Sequence, residues 1–462
     1  MLPLTLAEVL AATGGELTRL GVRTVFTGVA TDTRVLEPGE LFVAIRGDTH
    51  DGHTHLAEAA RRGAGAVIVE RAHADADLPC GVVAVRESLA ALGDLAAHHR
   101  RRLRARVLAV AGSNGKTTTK EMLAAILRHA FGPDAVVHTR GSQNNLVGLP
   151  LTLLRARDER VVVLELGMNG PGEVWRLAEI AVPDAGVITC VAAEHLEGVG
   201  SLHGAAEAEA ELFRRLRPSA TAVVNADDPL VERAAAAAPG PTLRFGRRGE
   251  VHAEDTIDHG LDGTSFRLVT PHGAADVRLR VPGRHNVSNA LAAAAMAHLA
   301  GVEPVAVAEA LAAFEPPSMR MQVVRLASGV TVINDAYNAN PGSMAAALET
   351  LARSRATRRL AALGEMLELG DAAEAAHAAL GEAAAAADVD GLWLIGTHAA
   401  LVRAGAEAAG LPPERITVAA THEELAERLR TACAPGDLLL LKGSRGAALE
   451  RVLAHLAAET AR

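Results

Sequence analysis

AGSNGKTTTKEM, residues 111–122, is the stretch on which the reading of this chain turns. The apolar run VLAVAG (107–112) enters it as a strand, and KTTTKEMLAAILRHA (116–130) leaves it with the periodicity of an amphipathic helix. Between them Gly112, Ser113, Asn114, Gly115, Lys116, Thr117 and Thr118 make a short loop. Glycines let backbone N–H groups turn inward around phosphate oxygens, and the new helix aims its positive end at the same point. Lys116 is placed to neutralise β- and γ-phosphate charge, and the Thr117 hydroxyl to coordinate Mg²⁺. The usual pattern has a glycine where this chain has Val110, so the loop is a short variant. An ordinary strand–helix turn is the competing reading; the coincidence of strand, Gly-Lys-Thr and helix favours phosphate.

Outward from the loop, apolar runs alternate with helical patterns, which predicts α/β architecture with largely parallel sheets. Upstream lie LFVAI (41–45), the helical HLAEAARRG (55–63) and AVIVE (66–70). The arginine run at 100–106 reads as a solvated connector. Downstream come VVVLELG (161–167), GVITCV (186–191) and TAVVN (221–225), then a more β-like section near 243–281 and a helix from HNVSNALAAAAMAHLA (285–300). Pro316-Pro317 marks a boundary. After it VTVIND (330–335), LAALG (360–364), LWLIG (392–396) and DLLLLKG (437–443) each precede an Ala-rich helical pattern, a Rossmann-like succession.

The length of 462 residues predicts two or three domains. A net charge of -9 and 2% aromatics argue against nucleic acid, which needs basic surface and stacking platforms, and against an anionic membrane. No apolar stretch is long enough to span a membrane, and the N-terminus does not read as a signal peptide. Cys80, Cys190 and Cys433 are far apart and suggest neither a metal cluster nor a disulfide framework, so a reduced cytoplasm is the simplest compartment. Only Lys116, Lys120 and Lys442 are lysines; arginine serves everywhere else. A lysine in such a chain fills either a compact point-charge role or a place given by chance.

Strand ends supply further candidates. Glu165, closing VVVLEL, suits a Mg²⁺ ligand beside a phosphate loop, or is a solvated strand-end carboxylate. His195, in TCVAAEHLEGVG, suits a second divalent ion or a loop hydrogen bond. NADD (225–228) suits a helix cap or a nucleotide contact.

Together these segments resemble the Mur ligase family. The resemblance covers nearly the whole chain: TDTRVLEPGELFVAIRGDTHDGH (31–53), GSNGKTTTKEM, GSQNNLVGLPLTLL (141–154), ELGMNGPGEV (165–174), AAEHLEGVGSL (192–202), GRHNVSNALAAAA (283–295), INDAYNANPGSMAAALETL (333–351), LGEMLELGD (363–371) and LKGSRGAALE (441–450). DAYNANPGS is the most discriminating. It implies the member that joins D-alanyl-D-alanine to UDP-N-acetylmuramoyl-tripeptide with ATP and Mg²⁺, in the cytoplasmic synthesis of peptidoglycan precursors on which cell wall, shape and division depend. The alternatives are a relative adding glutamate to folate or a single amino acid to the UDP-sugar, and a nucleotide-regulated binding module.

The resemblance implies three domains: a small N-terminal α/β domain (1–102) for the UDP-sugar, a central phosphate-loop domain with the β-rich section (103–318) for ATP, and a Rossmann-like closing domain (319–462). A monomer is expected. By position, Lys116 would stabilise the transferring phosphoryl group. Thr117 and Glu165 would hold one Mg²⁺ and His195 a second. His285, Asn286 and Asn289 would line the adenine side, Arg320 would reach the phosphates and Asp335 the ribose. Tyr337, Asn338, Asn340 and Ser343 would face the dipeptide. Asp32, Thr33, Arg34 and Gly47 would contact the nucleotide-sugar, and Asn144 and Asn145 its sugar-phosphate region. One position departs from the pattern: where the family carries a carbamoylated, metal-binding lysine, this chain has Glu209. Glu209 is expected either to bind the second Mg²⁺ itself, directly or through water, or to be a solvated helix residue beside a weaker site.

Overall fold

Strand Arg106–Ala111 is apolar at every position after the first because both of its faces are covered, as the inner strands of parallel sheets are. In the computed structural model, which describes residues 1–47 and 49–458, it stands inside a six-stranded parallel sheet. The strand order is Thr242–Phe245, Thr221–Asn225, Ala185–Ile188, Arg106–Ala111, Val161–Glu165, Val136–His138. Register sets Glu165 opposite Val110, beside the start of the phosphate loop. From Arg106–Ala111 the chain runs to one edge, returns as Val161–Glu165, and then crosses to the other side as Ala185–Ile188. The order thus reverses beside the central strand, and such a switch point opens a crevice at the carboxyl ends of the strands.

Alternate residues face opposite sides of the sheet. Leu108, Val110, Val163, Val187 and Val223 pack with helices Lys116–Phe131 and His285–Leu299. Ala109, Val162, Leu164 and Val224 pack with helices Ser88–Arg102, Gly148–Arg155, Glu173–Ala181 and Leu202–Arg215. With few aromatics, most volume comes from Val, Leu and Ala. The buried run Ala292–Ala297 lets helix His285–Leu299 lie close, while Phe213 and Phe245 fill the wider gaps.

Two further sheets flank this one. The N-terminal sheet is ordered Glu16–Arg19, Gly81–Val85, Ala66–Glu70, Leu41–Val43, Val29–Ala30, parallel except at its first strand. The C-terminal sheet is ordered Gln322–Arg325, Thr331–Asp335, Leu438–Lys442, Arg359–Leu363, Gly391–Ile395, Ile416–Ala419, again parallel except at its first strand. The β-like section is an antiparallel three-stranded sheet, His252–Asp258, Thr264–Thr270 and Gly273–Leu279. No described helix is long and apolar enough to cross a membrane.

The arginine run is a solvated connector in part: Arg101, Arg102, Arg104 and Arg106 are exposed and residues 103–105 join helix to strand, but Arg100 departs from that reading. Arg100 to Arg102 complete helix Ser88–Arg102, and Arg106 begins the central strand. Arg100 is buried: its guanidinium donates to the carbonyls of Ala181 and Val182 and reaches Asp184 Oδ2 at 2.9 Å. A planar fork with a long apolar stem can be buried wherever carbonyls and a carboxylate satisfy it. Arg100→Met should lower stability by about 1–3 kcal/mol, since it strands buried carbonyls. Urea unfolding with an unchanged m-value would register it as a change in midpoint alone.

Candidate active site

The carboxyl ends of the central and C-terminal parallel sheets face each other across a cavity of about 500 Å³. On the central side, strand Arg106–Ala111 ends at Gly112, whose φ of 117° lies where side chains are disfavoured. Helix Lys116–Phe131 follows without a side-chain cap, so its first N–H groups remain available to an anion. Gly115 is required for space as well as conformation: a Cβ there would collide with Asn289 Oδ1. Asn289 Nδ2 donates to Asn286 Oδ1 at 2.9 Å, and Asn286 Nδ2 donates to Pro282 O at 2.8 Å, so these two amides are fixed under the loop. His285 lines the same wall, its imidazole pKa lowered chiefly by burial.

Lys116 Nζ folds back onto Gly112 O, Ser113 O (3.1 Å) and Glu194 Oε1 (3.2 Å). Burial lowers its pKa, but Glu194, Glu209 and Glu165 outweigh that and raise it, so the ammonium stays charged. Thr117 Oγ1 donates to Glu165 Oε1 at 3.1 Å, and Asn144 Nδ2 donates to the same oxygen at 2.9 Å. Glu165 is buried, not a solvated strand end, and its Oε2 accepts no hydrogen bond. Thr117, Glu165 and Asn144 are hard oxygen donors of the kind Mg²⁺ takes. Cys190 also lines the cavity, but burial pushes its thiol up to about 12, so it is no nucleophile at neutral pH.

The C-terminal side supplies cations. Arg320 lies between two left-handed residues, Met319 (φ 61°) and Met321 (φ 50°). Its guanidinium stacks 4.0 Å over Tyr337 and donates to Thr117 Oγ1 at 3.2 Å. Asp335 Oδ1 accepts from Met321 N at 3.0 Å, and Asp335 Oδ2 from Lys442 Nζ at 2.6 Å. Lys442 also donates to Asn338 O at 2.9 Å. Asn340 and Ser343 cap helix Pro341–Arg353 reciprocally, and Asn340 Nδ2 donates to Asn114 Oδ1 at 2.9 Å, tying that helix to the phosphate loop. A second link joins His195 Nδ1 to Glu368 Oε2 at 2.5 Å.

Most of the expected site residues therefore converge. Ser113 to Thr118, Asn144, Asn145, Glu165, His195, His285, Asn286, Asn289, Arg320, Asp335, Tyr337, Asn338, Asn340 and Ser343 all line the cavity. Asn145 contributes mainly as a cap, its Oδ1 accepting from Gly148 N at 2.9 Å. Asp32, Thr33, Arg34 and Gly47 do not line it. Asp32 caps the turn Thr33–Val35 and is held by Arg34 at a pKa of about 2; Gly47 N donates to His50 O at 2.8 Å. In NADD the helix-cap reading holds: Asp228 caps Pro229–Ala235 and accepts from Val191 N, while Asn225 donates to Thr189 O.

Glu209 is not a solvated helix residue. It is fully buried beneath the loop, Oε2 accepting from Gly112 N at 2.8 Å and Oε1 without a partner. Glu194 and Lys442 were not singled out for the site by motif. Glu194 adjoins His195, and Lys442 carried the rarity of lysine as its signal.

Three family profiles match the chain in order: the Mur ligase family catalytic domain over residues 25–100, the Mur ligase middle domain over 110–297, and the Mur ligase glutamate ligase domain over 319–445. The UDP-N-acetylmuramoyl-tripeptide–D-alanyl-D-alanine ligase of Escherichia coli (strain K12) is 38% identical over 462 residues, covering 99% of each chain. That of Bacillus subtilis (strain 168) is 35% identical, covering 94% of each. A crystal structure of MurF from Acinetobacter baumannii superposes with a TM-score of 0.90 at 30% identity over 99% of each chain. MurF ligase from Thermotoga maritima in complex with ADP gives 0.82 at 29%, over 94% of this chain and 97% of that one. The three matched domains and these relatives mark a nucleotide-dependent ligase, whose phosphate loop opens into the crevice between the two facing sheets. The chain belongs to the Mur ligase family.

Burial, opposed in part by Lys116, raises the Glu209 carboxyl from 4.5 to about 7. In that interval the folded, metal-free protein binds a proton that the unfolded chain releases, so stability falls as pH rises through it. Wild type should lose on the order of 3 kcal/mol relative to Glu209→Gln between pH 5 and pH 8, read from urea midpoints at the two pH values.

Proposed function

We infer that this chain is an ATP-dependent ligase that joins D-alanyl-D-alanine to UDP-N-acetylmuramoyl-tripeptide through an acyl phosphate. The observation that carries the reading is the single cavity in which a phosphate loop, a buried carboxylate and cations from the facing sheet meet. The named relatives, similar over nearly their whole length, supply the substrate class.

A carboxylate is a poor electrophile. Its oxygen attacks the γ-phosphorus, ADP departs, and the resulting acyl phosphate has a good leaving group. The dipeptide amine then attacks the acyl carbon, loses a proton, and the bond to phosphate breaks. Lys116 and the uncapped helix N-terminus hold the phosphates and take up charge in transfer. Thr117 and Glu165 would hold Mg²⁺, which would withdraw charge from the nucleotide phosphates; the Thr117 hydroxyl and the Glu165 Oε1 it meets at the cavity are hard oxygen donors that fit that ion. His195 and Glu209 would serve a second ion, Glu209 through its free Oε1.

Arg320 reaches across from the closing domain toward the phosphates, and Asp335, oriented by Lys442, toward the ribose. His285, Asn286 and Asn289 form the adenine side. Tyr337, Asn338, Asn340 and Ser343 face the dipeptide. Asn144 and Asn145 adjoin the sugar-phosphate, and Asp32, Thr33, Arg34 and Gly47 belong to the nucleotide-sugar region. The units 1–102, 103–318 and 319–462 then act as sugar-holding, ATP-holding and closing domains. Water exclusion on closure protects the acyl phosphate. The free thiols of Cys80, Cys190 and Cys433 suit the cytoplasm.

Phosphate release should require the UDP-tripeptide and D-alanyl-D-alanine together, and hydroxylamine should trap an activated carboxyl before the dipeptide is added. Rapid ATP hydrolysis at saturating UDP-tripeptide alone would rule out obligate closure. Lys116→Met should raise the barrier by roughly 3–4 kcal/mol, seen in kcat.

A further inference from the structure

Lys120 lies one helical turn beyond Lys116 and is entirely buried, yet the phosphoryl chemistry above does not use it. Its Nζ donates to Glu121 Oε1 at 2.5 Å, Thr139 O at 2.8 Å and Gly141 O at 3.5 Å. At 3.7 Å it faces Glu165 Oε2, the oxygen that accepts no hydrogen bond. The other oxygen of that carboxylate takes Thr117 and Asn144 and fronts the cavity. Thr139 is tied in twice more, since its N–H donates to Val163 O and its hydroxyl accepts from Glu165 N at 3.0 Å. Lys120 therefore sits behind Glu165, at the junction of the phosphate-loop helix, the end of strand Val161–Glu165, and the segment 139–141 leading to Asn144.

We propose that Lys120 is a positioning residue that fixes the inner oxygen of Glu165 and so presents the outer oxygen to the metal–nucleotide. The proposal rests on the reading of Glu165 as a metal ligand. A buried carboxylate held on one side only would turn about its terminal bonds, whereas a point charge behind it selects one orientation. The slot explains the lysine in an arginine-rich chain. A compact ammonium serves three oxygens converging from different directions and faces a fourth, whereas a planar guanidinium is larger and its donors lie in one plane.

The test is Mn²⁺ binding in the presence of the non-hydrolysable analogue AMPPCP, followed by electron paramagnetic resonance, on wild type, Lys120→Met, Glu165→Gln and the double variant. Thermal melting of each variant reports folding, and Lys120→Gln replaces the methionine variant if that one unfolds. Loss of the Lys120 ammonium should weaken Mn²⁺ about tenfold, as losses of outer-shell partners do. In the Glu165→Gln background the same change should add nothing, because the effect passes through that carboxylate. In turnover, KM for Mg²⁺ should rise with KM for the UDP-substrate unchanged. Wild-type Mn²⁺ affinity in a folded Lys120 variant, additive losses in the double variant, or an equal rise in KM for the UDP-substrate would overturn the proposal. Undiminished binding by Glu165→Gln alone would instead overturn the metal-ligand reading on which it stands.

Discussion

Three buried carboxylates, Glu165, Glu194 and Glu209, surround two ammonium groups, Lys116 and Lys120, beneath and beside the phosphate loop. Desolvating charge is expensive, and such a cluster persists only when every member has partners close by. The loop carbonyls, Gly112 N–H, Thr117 and Asn144 supply them. The sheet positions this arrangement: register brings Glu165 level with Val110, and the switch point keeps the crevice open above both.

The second constraint is that the facing sheet completes the site. Arg320, Asn340 and Glu368 each contact a residue of the central unit, Thr117, Asn114 and His195 respectively. All three contacts are polar and lie at or next to the cavity, so groups that line or adjoin the site also link the two sheets. Buried apolar residues of both units also belong to one continuous cluster, so the polar links act beside packed contact.

Sequence reasoning reached the strands and helices because each obeys a simple period, and it reached the loop because strand, glycines, lysine and helix adjoin in one segment. What it could not resolve were side chains whose partners come from distant segments. Arg100 looked solvated because nothing local announces the carbonyls of Ala181 and Val182. Glu209 offered two readings, since its relation to Gly112 spans nearly a hundred residues. Lys120 and Lys442 stood out by rarity, but rarity names no partner. The roles of Asp32, Arg34 and Gly47 came from resemblance alone, and their loops lie away from the cavity.

The scarcity of lysine has a chemical corollary. Lys120 and Lys442 are shielded, and Lys116 has only a sliver of exposed side chain, at 13%. Reagents that acylate primary amines therefore find almost no exterior lysine among the described residues, while the exposed guanidinium groups are inert to them. Lys116, held charged and paired to Glu194 inside the loop, is itself shielded from them.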